Sequence, residues 1–264
     1  SGFLLGDGVW EGIRLYNNQL VFKKEHLKRL FYGIKKLEIE MPITINELEK
    51  NIIKTIEANN MHTDVHIRVI VTRGIKKTPY QHPSANIGKA NIIIIPEHKT
   101  ADPQMYHRGI KLVSVSTIRS IPDIQDPKIN SLSKFNCIQA CIEANNKGGD
   151  EGLMSDINGY ISTCNSTNFF IIKKKKVITS KGEYCLNGVT RGAIIKICAE
   201  NNIPILLENF KIEDVYNAEA AFVTGTFAGV IPVTQIDNHR FDPKHLSIID
   251  HLFKLYKDKI AYLY

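Results

Sequence analysis

The chain of 264 residues is 43% hydrophobic and 23% charged, enough apolar material for one large core or two smaller ones in an ordinary globular protein. Lys plus Arg is 34 against 27 for Asp plus Glu; the net charge of +7 is spread along the chain rather than gathered in one arm, which argues against a dedicated nucleic-acid binder and suits local pockets for anionic ligands. No apolar run approaches the length of a bilayer span, so no membrane partner is expected, and five cysteines without CxxC spacing indicate a reducing, cytoplasmic setting rather than a disulfide framework.

The sequence opens at Ser1-Gly2-Phe3 in what reads as a structured segment without an initiator Met, so the natural start is expected upstream. Gly6-Asp7-Gly8-Val9-Trp10-Glu11-Gly12 lacks the GxGxxG spacing of a dinucleotide loop and reads as a glycine-rich strand or bulge that another group approaches closely. His26 to Leu37 sets Leu27, Leu30, Phe31, Ile34 and Leu37 at helical spacing, and Thr44 with Glu47 predicts a capping box for a helix reaching about Asn59. Val65, Ile67, Val69 and Val71 alternate with His66, Arg68, Ile70 and Thr72, a strand with one buried face and one polar face, so that His66 and Arg68 point the same way on the polar face. Asn91 to Ile95 predicts another strand, and the polar, aperiodic, Pro-containing stretch from Pro96 to Arg108 marks a boundary.

Beyond it, Ile110 to Thr117 predicts a strand, Ser120 to Lys128 an irregular segment, and Leu132 to Asn146 a helix. Short strands are expected at Gly152 to Met154, Tyr160 to Ser162, Phe169 to Ile172, Ile203 to Leu207 and Ala220 to Thr224. A helix is expected from about Thr190, and a last helix after Asp242-Pro243. Helices and strands mix without strict βαβ alternation, which favours α+β in two domains, residues 1–98 and 109–264, with a linker at 99–108.

Lys173 to Lys176 between two apolar runs reads as a solvated hairpin turn, and His62 with His66 lacks the spacing of a metal site, so no metal is expected. Two segments carry more chemistry. Thr190, in Asn187-Gly188-Val189-Thr190-Arg191, stands where an amphipathic helix begins, and Thr226 ends an apolar strand in a Thr-Gly-Thr turn. Each presents backbone N–H groups beside a hydroxyl; alone each reads as an N-cap or a turn residue, and together with a basic residue they would form a phosphate cup.

Read in order, GDGVWEGIR (6–14), HLKRL (26–30), HIRVIVTRG (66–74), IEA followed by DEGLMSDINGYIST (142–163), STNFF (166–170), LNGVTRG (186–192) and EAAFVTGTFAGVIPV (219–233) resemble the class IV aminotransferases over nearly the whole chain. That family comprises pyridoxal 5′-phosphate (PLP) enzymes of fold type IV: branched-chain and D-amino acid aminotransferases and aminodeoxychorismate lyases. The resemblance implies the two-domain α+β PLP fold type IV, PLP as cofactor, and a homodimer with active sites at the domain and subunit boundary. Arg29 matches the arginine that binds the cofactor phosphate, and Val189, Thr190 and Thr226 match the rest of the cup. Trp10, Gly12 and Arg14 match substrate-pocket positions of the branched-chain type, while Arg68 and the backbone of Phe227-Ala228 match the groups that meet the substrate carboxylate.

Two positions depart from the family pattern. Asn130 occupies the place of the cofactor lysine, and Thr163 that of the glutamate facing the pyridine nitrogen; a Thr can hydrogen-bond that nitrogen but cannot keep it protonated as a carboxylate does. Lys134, where the family usually has a tyrosine touching the cofactor, is the expected catalytic lysine, because residues 130–134 wound into a helix start would set both side chains on one face; Lys128 is the other candidate. The activity implied is amino transfer between a small, branched-chain-like amino acid and a 2-oxo acid, the alternatives being an aminodeoxychorismate-type lyase or a non-catalytic homologue without the usual lysine.

Overall fold

A computed structural model of the chain describes residues 1–100, 102, 104–242, 244 and 246–262. They fall into two units, the first formed by residues 1–100 with 129–134, the second by 102–128 with 135–262. The first contains α1 (Gly2–Leu5), β1 (Gly8–Tyr16), β2 (Gln19–Leu20), α2 (Lys23–Lys36), α3 (Ile45–Ala58), β3 (Val65–Thr72), β4 (Ile75–Lys76), β5 (Asn86–Ile87) and β6 (Asn91–His98). Its antiparallel sheet runs β2-β1-β3-β6, with β4 and β5 as a separate pair. The alternation of β3 buries Val65, Ile67, Val69 and Val71 against Leu27, Leu30 and Ile34 of α2 and Leu48, Ile52 and Ile56 of α3. Thr44 caps α3 in both directions: its N–H donates to Glu47 Oε2 at 2.7 Å and its Oγ1 accepts from the Glu47 N–H at 3.3 Å.

The glycine-rich opening is a strand, and its glycines make room for a distant segment. A side chain at Gly8 would meet Leu132 Cδ1 at 2.7 Å, and Gly6, at φ +63°, lies against the Ser133 backbone. Residues 130–132 pair with the start of β1: Trp10 N–H donates to Asn130 O at 3.0 Å, Leu132 N–H to Gly8 O at 2.9 Å, and Ser131 bridges Val9. With this backbone committed to β1, the helix predicted from Leu132 begins only at Phe135. β6 likewise runs through Pro96 to His98, beyond the expected end at Ile95, because an edge strand tolerates a residue without an N–H.

The second unit contains α4 (Met105–Arg108), β7 (Ile110–Ser114), α5 (Pro122–Gln125), α6 (Phe135–Asn146), β8 (Glu151–Ser155), β9 (Ile161–Cys164), β10 (Asn168–Lys173), β11 (Lys176–Thr179), α7 (Val189–Glu200), β12 (Ile205–Leu207), α8 (Ile212–Tyr216), β13 (Ala220–Gly225), β14 (Gly229–Ile236), β15 (His239–Arg240) and α9 (Ser247–Ala261). Its mixed sheet runs β12-β11-β10-β13-β14-β7-β8-β9, with β15 beside β14. Phe170 and Phe222, opposite one another on β10 and β13, stack at 4.6 Å in the core. Lys174 and Lys175, at φ +50° and +59°, form the expected two-residue turn between β10 and β11. α4 falls inside the stretch expected as linker, of which Ala101 and Pro103 lie outside the described residues, as does Pro243 before the last helix. Among the described residues no helix is long and apolar enough to cross a membrane.

Candidate active site

In the first unit, β1 and β3 sort the site residues onto two sides of the sheet. Glu11 faces α2, where its buried carboxylate accepts from Arg29 Nε at 2.7 Å and Arg29 Nη2 at 2.8 Å, and pairs with His26 Nδ1 at 2.7 Å. Burial pushes the Glu11 carboxyl up, but the hydrogen bonds of His26 and Arg29 and their charges outweigh it and hold it below its ordinary value. Arg29 therefore reaches any anion from a fixed, bidentate seat. Sequence reasoning missed Glu11; its only signal is an acid on the apolar face of a strand, opposite basic residues three apart on one helix face.

The other face carries Trp10, Gly12, Arg14, His66 and Arg68. A side chain at Gly12 would collide with His66 Nε2 at 2.7 Å, so this glycine seats the imidazole, which burial and then the charge of Arg68 hold below its ordinary pKa. Arg14 turns to Asp64 Oδ1 at 3.3 Å and lies 5.3 Å from the centre of the Tyr16 ring. Arg68, exposed, stacks on Trp10 with its guanidinium carbon 4.7 Å from the indole centre. Lys134 joins the same group, its Nζ 5.7 Å from that centre and donating to Asn130 Oδ1 at 2.9 Å. The helical winding expected of residues 130–134 is absent; an irregular turn brings the two side chains together instead. Lys128 belongs to the second unit, its N–H donating to Asp126 Oδ1.

In the second unit, α7 starts at Val189 behind Gly188, an N-cap without a capping side chain, so its first turn keeps N–H groups for a ligand. Thr190 is buried in that turn, and Thr226, Phe227 and Ala228 form the half-buried turn from β13 into β14. α7 packs against β13. Asn168 on β10, a residue sequence reasoning also missed, ties these parts together. Its Oδ1 leaves no space for a side chain on Gly188, and its Nδ2 donates to Leu186 O at 2.9 Å and reaches Thr163 Oγ1 at 3.4 Å. Thr163 spends its own hydroxyl proton on Thr167 O at 2.7 Å. Thr224, opposite Asn168 on β13, has a buried hydroxyl without a partner.

This fold and these donors define a member of the class IV aminotransferases, to which the chain belongs: residues 8–236 match the family described as Amino-transferase class IV. The enzymes of this class work with PLP. The chain is 35% identical over 234 residues to branched-chain-amino-acid aminotransferase-like protein 2 of Arabidopsis thaliana, covering 88% of this chain and 41% of that protein, so it spans about two-fifths of that relative. It is 28% identical over 264 residues to the branched-chain-amino-acid aminotransferase of Pseudomonas aeruginosa, covering 97% and 85% of the two chains. Among solved structures, the branched-chain aminotransferase of the thermophilic archaeon Thermoproteus uzoniensis with norvaline superposes with a TM-score of 0.87 at 25% identity, covering 99% of this chain and 90% of that one.

Proposed function

We propose that the chain is a PLP-dependent aminotransferase that moves an amino group between a small, branched-chain-like amino acid and a 2-oxo acid, with Lys134 as the amine that attaches the cofactor. The observation that carries this reading is the Lys134 amine, held at Asn130 on the face that also bears Trp10 and Arg68. The second unit by itself offers donors that fit the cofactor's phosphate: the first turn of α7, which has no side-chain cap, the Thr190 hydroxyl and the Thr226 turn. When bound, the cofactor supplies an aldehyde that condenses with amines and a ring that takes up electrons from the substrate α-carbon.

Lys134 would hold the cofactor through its amine and, when that amine is free, would accept the proton from the substrate α-carbon. Thr163, at the position the family uses for the ring nitrogen, is uncharged and already donates its hydroxyl proton to Thr167 O, so it would offer that nitrogen only an acceptor. In the first unit Arg68 would meet the substrate carboxylate and Trp10, Gly12 and Arg14 would border its side chain; in the second, the Phe227-Ala228 backbone would offer N–H donors to a carboxylate. The protein works as a cytoplasmic homodimer. Borohydride reduction of the purified chain with PLP, followed by peptide mapping, is expected to mark Lys134, and amine transfer from leucine is expected to require a 2-oxo acid. An adduct on no lysine would overturn the reading; product release without an oxo acid would replace it by the lyase.

The phosphate cup has its own test. Thr190→Ala and Thr226→Ala are each expected to weaken PLP binding by about 10- to 100-fold, since a hydrogen bond to a charged group contributes about 1.5–3 kcal/mol. Absorbance titration, with inorganic phosphate as competitor, measures it.

A further inference from the structure

Asn130 is as firmly fixed as any residue near Lys134. It is 6% exposed, its carbonyl accepts from the Trp10 N–H at 3.0 Å, and its side-chain Nδ2 donates to the Trp10 carbonyl at 2.7 Å. That second bond orients the amide: with the nitrogen end spent on a carbonyl, the oxygen end is the one that faces Lys134, where it accepts from Nζ at 2.9 Å. Lys134 itself follows an irregular segment and carries a flexible four-carbon stem. Another neighbour on this face is the Trp10 indole, and the charged and titratable groups on the same face of β3 are Arg68, over the same ring, and His66, next along that face.

We propose that Asn130 is a positioning residue: its amide oxygen, anchored on β1, holds the Lys134 amine in the place from which it attaches the cofactor. This rests on Lys134 being the attaching lysine. A neutral amide suits the task because it fixes the amine without adding a charge. An amine must lose its proton before it attacks a carbonyl, and a carboxylate in the same place would bind the ammonium form and oppose that loss.

The test is competitive acetylation of the full chain without cofactor across a pH series, with the Lys134 peptide read against the Lys128 peptide, and then the rate of PLP attachment. Asn130→Asp is expected to move the Lys134 reactivity midpoint up by about one pH unit, the direction an adjacent carboxylate imposes on an amine, with Lys128 unmoved. Asn130→Ala, which adds no charge, is expected to slow attachment about tenfold, the size of one lost hydrogen bond of about 1.4 kcal/mol, without slowing acetylation of Lys134. An unmoved Lys134 profile in Asn130→Asp, or an unchanged attachment rate in Asn130→Ala, overturns the proposal. These outcomes separate from the functional reading: an adduct on Lys134 with an unmoved profile removes the role of Asn130 and leaves the enzyme intact. A shifted profile with no adduct on Lys134 removes the assignment of the lysine, and with it the purpose of the hold.

Discussion

Replacing Lys134 by alanine is expected to abolish the cofactor adduct trapped by borohydride and to lower amine transfer by about 10²–10⁴-fold, the range lost with a positioned proton carrier. The loss should leave the fold in place. Lys134 is half-buried ahead of α6, and its partners include one amide oxygen and the face of one indole, neither of which depends on the amine to stay folded. The expected change in unfolding free energy is therefore within about 0.5 kcal/mol. Absorbance with PLP, peptide mapping and thermal unfolding measured on one preparation separate loss of chemistry from loss of structure. Lys128→Ala serves as the comparison and is expected to retain the adduct; an adduct lost with Lys128 and kept without Lys134 would reverse the assignment of the two lysines.

The largest effect on stability is expected at Glu11. Its carboxylate is fully buried with His26 and Arg29, so Glu11→Ala leaves two basic side chains without their shared acceptor. Breaking one side of a buried ion pair costs about 3–5 kcal/mol, and denaturant unfolding should show a loss of that order. Glu11→Gln keeps the volume and part of the hydrogen bonding and should lose less. The dependence on pH has a defined sign. The folded carboxyl lies below its ordinary value of 4.5, so its contribution is fully present above that pH and disappears as pH falls through the lower, folded value. Glu11→Gln should therefore flatten the acid limb of stability below about pH 4.5.

Local signals in the sequence were legible wherever a few neighbouring residues decide the structure. The Thr44–Glu47 box starts α3, the alternation from Val65 builds β3, and the lysine pair at 174–175 turns β10 into β11. What escaped reading depends on partners distant in the chain. Leu132 has helical neighbours, yet its N–H belongs to Gly8, and that bond postpones α6 to Phe135. Pro96 looks like a strand breaker until β6 is known to be an edge. Arg29, Thr190 and Thr226 were visible as residue types in motifs. Glu11, which seats Arg29, and Asn168, which braces the start of α7, act through contacts no periodicity announces. The nearness of Lys134 to Asn130 was expected through a helical turn and arises through a different backbone path.

Trp10 is the single tryptophan of the chain, and two cationic side chains, Arg68 and Lys134, lie over its ring. The protein's ultraviolet emission above the tyrosine band consequently arises from one fluorophore beside the proposed attachment point. Indole emission responds to nearby charge, so converting the Lys134 ammonium to a neutral or covalently occupied nitrogen registers directly in its wavelength and yield. The chain carries a native optical gauge of this one lysine, readable in stopped flow without a label.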